Sequence, residues 1–420
     1  MDKLIIEGHK TLKGEVRVSG SKNATLPILA ATLLTDEPCE ICNIPKLRDT
    51  LTMIKLLRSL GKTVEFKKNR VTVTSKEALK SVADYKLVST MRGSFCVLGP
   101  LLVKLKQARV SLPGGCVIGI RPVDLHLKGL KALGAKIEVE NGYVIAKARQ
   151  LKGDHLYLGG AFGPSVLATA NVLMAATLAK GTTIIESAAC EPEVEDLANF
   201  LIAMGANIQG QGSPRLTVKG VKKLKGVRYD IGPDRIEAGT YMIAAAATKS
   251  NITLKNVDYS QLLVLIDKLK ESGVKIEKGH NAIHVKCVKT IRPTSITTYP
   301  YPGFPTDLQA QFMALMAATP GVSVITDKVF PDRFIHIAEL NRMGANIRRE
   351  GSVAIVEGRK TLYGAQVMAS DLRASAALVI AGLAAKGRTE IHRIYHLDRG
   401  YEGLEQKFSE LGAKIYREKI

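Results

Sequence analysis

Ala132-Leu-Gly-Ala-Lys-Ile137 ends one pattern and begins another. Leu130 and Leu133 have helical apolar spacing, Gly134 suits the left-handed residue that terminates a helix, and Lys136-Ile-Glu-Val139 alternates as a strand does. A second alternating run, Tyr143-Val-Ile145, follows Asn141-Gly142, a dipeptide that favours a tight hairpin. The phrase returns as Ser59-Leu-Gly-Lys-Thr-Val64, Ala203-Met-Gly-Ala-Asn-Ile208, Glu271-Ser-Gly-Val-Lys-Ile276, Arg342-Met-Gly-Ala-Asn-Ile347 and Glu410-Leu-Gly-Ala-Lys-Ile415. Its glycines, Gly61, Gly134, Gly205, Gly273, Gly344 and Gly412, recur at intervals of about seventy residues, which predicts a sixfold array.

Upstream of this phrase most copies carry a small-residue run that is apolar nearly all round: Ile28 to Thr32, Met174 to Thr177, Met242 to Thr248, Met313 to Thr319 and Ala374 to Ala385. Such a run predicts an interior helix covered by sheet. The last copy stops one strand short, while Ile6-Glu-Gly-His-Lys-Thr-Leu-Lys-Gly14 parallels Val356-Glu-Gly-Arg-Lys-Thr-Leu-Tyr-Gly364. The N-terminal strand is therefore expected to pair with the C-terminal one. Three units per globule then predict two lobes, one of residues 20–230 and one of residues 231–420 completed by residues 1–19. Two crossings, at Val18 to Ser21 and at Lys222 to Pro233, suggest a hinge.

The net charge of +21, from 60 basic and 39 acidic residues, implies an anionic partner. Few aromatics accompany the lysine patches and there is no basic tail, which weighs against nucleic acid. The first ten residues enter a strand pattern without a signal-like apolar core, and the longest apolar run, Ala374 to Ala385, is too short to span a bilayer. Six scattered cysteines fit reduced thiols, so the expectation is a cytoplasmic protein that does not act at a membrane. Cys39 and Cys42 form a CxxC with no second pair at zinc spacing, and no metal is expected there.

Chemistry concentrates between Ser111 and His126. Pro113, Gly114 and Gly115 break the chain before Cys116, leaving its thiol approachable, and Arg121, Pro122 and Asp124 suit a helix start with Asp124 near the cap. A thiol and a guanidinium would then flank one anion-sized space; the alternative is a small buried cysteine beside a surface arginine. Polar residues also stand at the starts of the small-residue helices: Ser21-Lys-Asn23, Met91-Arg-Gly93, Gly163-Pro-Ser165, Asp234-Arg235, Thr306-Asp307 and Asp371-Leu-Arg373. Helix N-termini favour anions, so Lys22, Arg92, Arg121, Arg373 and Arg399 would line one cleft. Asp307, after Pro302 and Pro305, reads most simply as a helix N-cap, with a second use as acceptor of a substrate hydroxyl proton.

With these residues assembled, the chain resembles the UDP-N-acetylglucosamine 1-carboxyvinyltransferases of the enolpyruvyl transferase superfamily. The likeness runs the whole length and is carried by Ser19-Gly-Ser-Lys-Asn23, the Leu112 to Leu125 loop, Pro233 to Thr240, Phe304 to Gln311, Asp371 to Ser375 and Tyr395 to Tyr401. It implies an α/β fold, a two-lobe inverse α/β barrel of six βαβαββ units, three per lobe, with the active site in the cleft between lobes. It implies transfer of the enolpyruvyl group of phosphoenolpyruvate to the 3-hydroxyl of UDP-N-acetylglucosamine with release of phosphate, the opening step of peptidoglycan synthesis, without a cofactor. By the same resemblance Lys22, Arg121 and Arg399 hold phosphoenolpyruvate, and Cys116 gives a proton to C3 and is the target of fosfomycin. Asp307 faces the sugar hydroxyl, and Asn23, Arg92, Arg121, Pro122, Val123, Asp124, Leu125, Ser165, Val329 and Arg373 contribute to substrate binding. Leu167 and Cys190 depart from the family's usual glycine and arginine. The rivals are a 5-enolpyruvylshikimate-3-phosphate synthase-like transferase, which lacks the Pro-Gly-Gly-Cys loop, and a basic nucleic-acid-binding repeat protein.

Overall fold

The computed structural model describes residues 2–114, 123–286 and 290–419. Each recurring glycine follows a helix and has φ between 89° and 101°, a region open to glycine at little cost. After the helix Asp124–Ala132, Gly134 N–H bonds to Lys131 O and Ala135 N–H to Leu130 O, so the last carbonyls of the helix are satisfied. The same pair of bonds closes the helices Pro192–Ala203, Leu263–Glu271, His336–Arg342 and Leu404–Glu410. Asn141 and Gly142, both at positive φ, join the strands Lys136–Glu140 and Tyr143–Lys147 in register.

Among the described residues, six four-stranded sheets share one plan. In each, one pair of neighbouring strands is parallel and the other neighbours are antiparallel. Where the sheet is built from continuous chain, a strand leads into an inner helix, the strand that leaves it lies parallel to the first, and after an outer helix a hairpin completes the sheet. Three sheets are built from continuous chain: Val82–Ala83 to Tyr143–Lys147, His155–Tyr157 to Arg215–Lys219, and Ile296–Thr298 to Val353–Gly358. The other three borrow a strand from far away. Arg228–Asp230 lies parallel to Cys39–Cys42, Lys13–Arg17 lies parallel to Asn251–Lys255, and Asp2–Glu7 lies between Arg388–His392 and Lys414–Lys419.

The inner helices are Lys22–Ala31, Leu98–Leu105, Val166–Ala176, Arg235–Ala247, Gln309–Ala317 and Leu372–Ala384. Most are buried over nearly their whole length, as their small apolar side chains require. Several begin earlier than the apolar runs suggest, because their first turns carry the polar residues that cap them. The chain separates into two compact units: residues up to Ser19 with those from Pro233 onward, and the described residues from Gly20 to Gly232. Each has its own apolar core, one including Leu4, Tyr241 and Phe312, the other Ile28, Phe95 and Phe200. Among the described residues no helix is long and apolar enough to cross a membrane.

Candidate functional site

Four inner helices take their N-terminal amides for themselves. Ser21 accepts from Ala24 N–H at 3.3 Å, Ser165 from Ala168 N–H at 3.3 Å, Asp234 from Glu237 N–H at 2.7 Å and Asp371 from Arg373 N–H at 2.8 Å. Each cap satisfies one or two of the N-terminal amides of its helix, and the rest of the turn must find other partners. Asp124 is the first residue of its helix rather than the cap; Val123 holds that place and makes no side-chain cap bond.

In the unit from Gly20 to Gly232, Lys22 starts its inner helix and its ammonium lies 3.1 Å from the Asp49 carboxylate. Asn23 follows on the first turn. Arg92 opens a short 3-10 turn that lies close against the same helix, where a Cβ on Gly93 would meet Leu26 Cδ1 at 2.7 Å. The small hairpin of Gly159–Gly160 with Gly163–Pro164 leads into Ser165 and approaches Leu125, whose Cδ1 is 3.1 Å from a Cβ built on Gly160. Leu167 sits half-buried against this unit's core, and Cys190 is half-buried with its thiol pushed up by burial and by Glu191. Cys116, Arg121 and Pro122 lie outside the described residues.

In the other unit, the structure corrects the reading of Asp307. It does not cap a helix: Thr306–Leu308 is a 3-10 turn capped at Pro305, leading into Gln309–Ala317. Asp307 Oδ1 accepts from Arg333 Nη1 at 2.8 Å and Oδ2 from Arg373 Nη2 at 2.8 Å. Burial alone would push this carboxyl up, but the two guanidinium groups outweigh it and hold Asp307 well below the ordinary carboxylate range. Arg373 is kept protonated by the same pairing and is only 2 % exposed. Its Nη1 donates to the Tyr401 hydroxyl at 3.2 Å, which also meets Gln311 Nε2 at 3.2 Å and Thr240 Oγ1 at 2.9 Å.

Arg399 ends the 3-10 turn Ile394–Arg399, and Gly400 brings that turn against the start of the Arg373 helix, with Leu372 Cδ2 2.6 Å from a Cβ placed there. Val329 is fixed by the fully buried Asp327, whose Oδ1 accepts from the amides of Val329 at 3.0 Å and Phe330 at 2.8 Å. Residue order does not single out Arg333 or Asp49, and Tyr401 enters it only as the end of the Tyr395 to Tyr401 motif; each is marked by the partner that folding brings to it. Among the described residues no group of three or more His, Cys, Asp or Glu side chains could hold a metal.

This architecture and these motifs have known counterparts. Residues 6–408 match the family model of EPSP synthase (3-phosphoshikimate 1-carboxyvinyltransferase). The chain is 53 % identical over 417 residues, 99 % of each chain, to a UDP-N-acetylglucosamine 1-carboxyvinyltransferase of Lawsonia intracellularis. It is 53 % identical over 419 residues, the full length of both, to one of Nitratidesulfovibrio vulgaris. Among solved structures, the enolpyruvyl transferase NikO from Streptomyces tendae superposes with a TM-score of 0.88 at 24 % identity, covering 99 % of this chain and 98 % of that one. An EPSP synthase from Acinetobacter baumannii gives 0.77 at 21 % identity over the full length of both, a likeness of fold. The chain belongs to the EPSP synthase family of carboxyvinyl transferases, and within it to the UDP-N-acetylglucosamine 1-carboxyvinyltransferases.

Proposed function

We propose that this protein transfers the enolpyruvyl group of phosphoenolpyruvate to the 3-hydroxyl of UDP-N-acetylglucosamine, releasing phosphate, as a cytoplasmic step of peptidoglycan synthesis. The observation that carries this reading is full-length identity at 53 % to transferases named for that sugar nucleotide. A shikimate-directed reading draws on the family model and on likeness of fold at 21 % identity, both shared by the superfamily as a whole, whereas the 53 % relatives carry the sugar-nucleotide name.

The chemistry constrains the roles. Oxygen adds to C2 of the enol phosphate only as C3 gains a proton, since the carbanion alternative is too unstable. Cys116 supplies that proton, and the substrate hydroxyl gives its own to Asp307. Lys22, Arg121 and Arg399 hold the phosphate and carboxylate of the donor, with Arg92, Asn23, Val123 to Leu125, Ser165 and Val329 on the sugar nucleotide. From the tetrahedral adduct, loss of a C3 proton to the Cys116 thiolate and of phosphate, which leaves with the proton held on Asp307, restores the double bond and resets both groups.

Asp307 is a weak base while Arg333 and Arg373 grip both of its oxygens. An anionic substrate that engages either guanidinium loosens that grip and raises the basicity of Asp307 as it binds. The test is phosphate release from phosphoenolpyruvate that depends on UDP-N-acetylglucosamine. The native protein is expected to release it and Cys116→Ser to lose most of the rate. No release from the native protein ends the transferase reading; full activity in the serine variant ends the proton-donor role alone.

A further inference from the structure

We infer that Asp49 is a positioning residue for the reaction, acting through Lys22 to hold the ammonium where the three-carbon phosphate binds. The inference rests on the reading of Lys22 given above.

The sequence places Lys22 at an awkward position. It is the first residue of the helix Lys22–Ala31, where the helix dipole is positive and a cation is disfavoured. Asp49 is placed the opposite way. It lies in the first turn of the outer helix Arg48–Ser59, where the dipole favours a carboxylate, and is 3 % exposed. The two groups meet at 3.1 Å, with the Lys22 side chain 15 % exposed. A carboxylate buried this deeply is costly unless it is paired or hydrogen-bonded, and Lys22 is a cation within reach.

The pairing has two opposed effects on an incoming anion. The negative charge of Asp49 reduces the attraction of the site, but a lysine already ordered loses less side-chain freedom when the anion arrives. A long flexible amine depends on such ordering more than a planar guanidinium does. We take ordering to be the larger effect, because Lys22 is mostly buried and has a fixed partner.

The test is a double-mutant cycle read as the affinity for phospholactate, the saturated analogue of phosphoenolpyruvate that cannot react, in the presence of UDP-N-acetylglucosamine. Asp49→Asn is expected to weaken phospholactate binding about tenfold, and Asp49→Glu to recover most of that loss. In a Lys22→Met background Asp49→Asn is expected to change affinity by less than about twofold, since its effect passes through the missing amine. The affinity for UDP-N-acetylglucosamine alone and the thermal midpoint serve as controls for folding. Equal losses in both backgrounds, an equal loss of nucleotide affinity, or tighter phospholactate binding in Asp49→Asn would each overturn the inference. If Lys22→Met binds phospholactate as the native protein does, the role of Lys22 fails first; if Lys22→Met weakens binding and Asp49→Asn does not, only Asp49 is released from its part.

Discussion

Asp307 holds Arg333 through one oxygen and Arg373 through the other, and both arginines are almost fully buried. Because its folded pKa is depressed below the ordinary value, its stabilising contribution is present above about pH 4, the unfolded carboxyl value, and is lost as pH falls through the folded pKa. Asp307→Asn leaves two buried guanidinium groups short of a counter-charge and is expected to cost about 3 kcal/mol at pH 7. Urea unfolding of both proteins should show that gap narrowing in acid; a gap that does not change with pH would contradict this account of the pairing. The position of Asp307 was legible in Phe304-Pro-Thr-Asp-Leu-Gln309. Its partners were not, because a buried arginine in Pro331-Asp-Arg-Phe334 looks like any surface arginine until the chain has folded.

At the level of helices and strands, the recurring glycines were readable because a helix end is decided by its nearest neighbours. Gly205 has φ +100° with nothing within 4 Å of a Cβ placed on it, so Gly205→Ala should cost only backbone strain, about 1 kcal/mol. Gly99 is different. A Cβ there would lie 2.3 Å from the backbone oxygen of Asn171, and Gly99 N–H bonds to Asn171 Oδ1 at 2.7 Å. Asn171 also donates to Phe95 O and meets His126 Nδ1, each at 2.9 Å, so pushing it away disturbs the contact between two inner helices and the helix Asp124–Ala132. Gly99→Ala is expected to cost roughly 3 kcal/mol, and denaturant midpoints that rank the two variants the other way would refute this. Helix starts were harder to read than helix ends. Asp307 and Asp124 both looked like caps, yet Pro305 and Val123 occupy those places and make no side-chain cap bond, so a nearby polar residue does not by itself locate the start.

Across the whole chain, closure depends on strands that travel. Asp2–Glu7 sits between Arg388–His392 and Lys414–Lys419 and buries Leu4, Ile5 and Ile6 completely. Losing three such side chains forfeits about 6 kcal/mol, comparable with the net stability of a domain. Deleting residues 2–8 should therefore unfold the unit that contains them, read as rapid amide exchange across 388–392 and 414–419; native protection there would show that the strand is dispensable.

The sixfold repeat, the small-residue helices and the likeness of the N-terminal segment to Val356–Gly364 could all be read from residue order, since propensity and punctuation act between near neighbours. Residue order also carried Lys22 and Asp307 as candidates. It could not show that Lys13–Arg17 serves the sheet of Asn251–Lys255 while Arg228–Asp230 serves that of Cys39–Cys42, nor that Asp49 meets Lys22 and Arg333 meets Asp307. Those partners follow from which edges and charges remain unsatisfied once each sheet and helix has formed. Such pairings join distant parts of the chain and come into being only in the folded molecule.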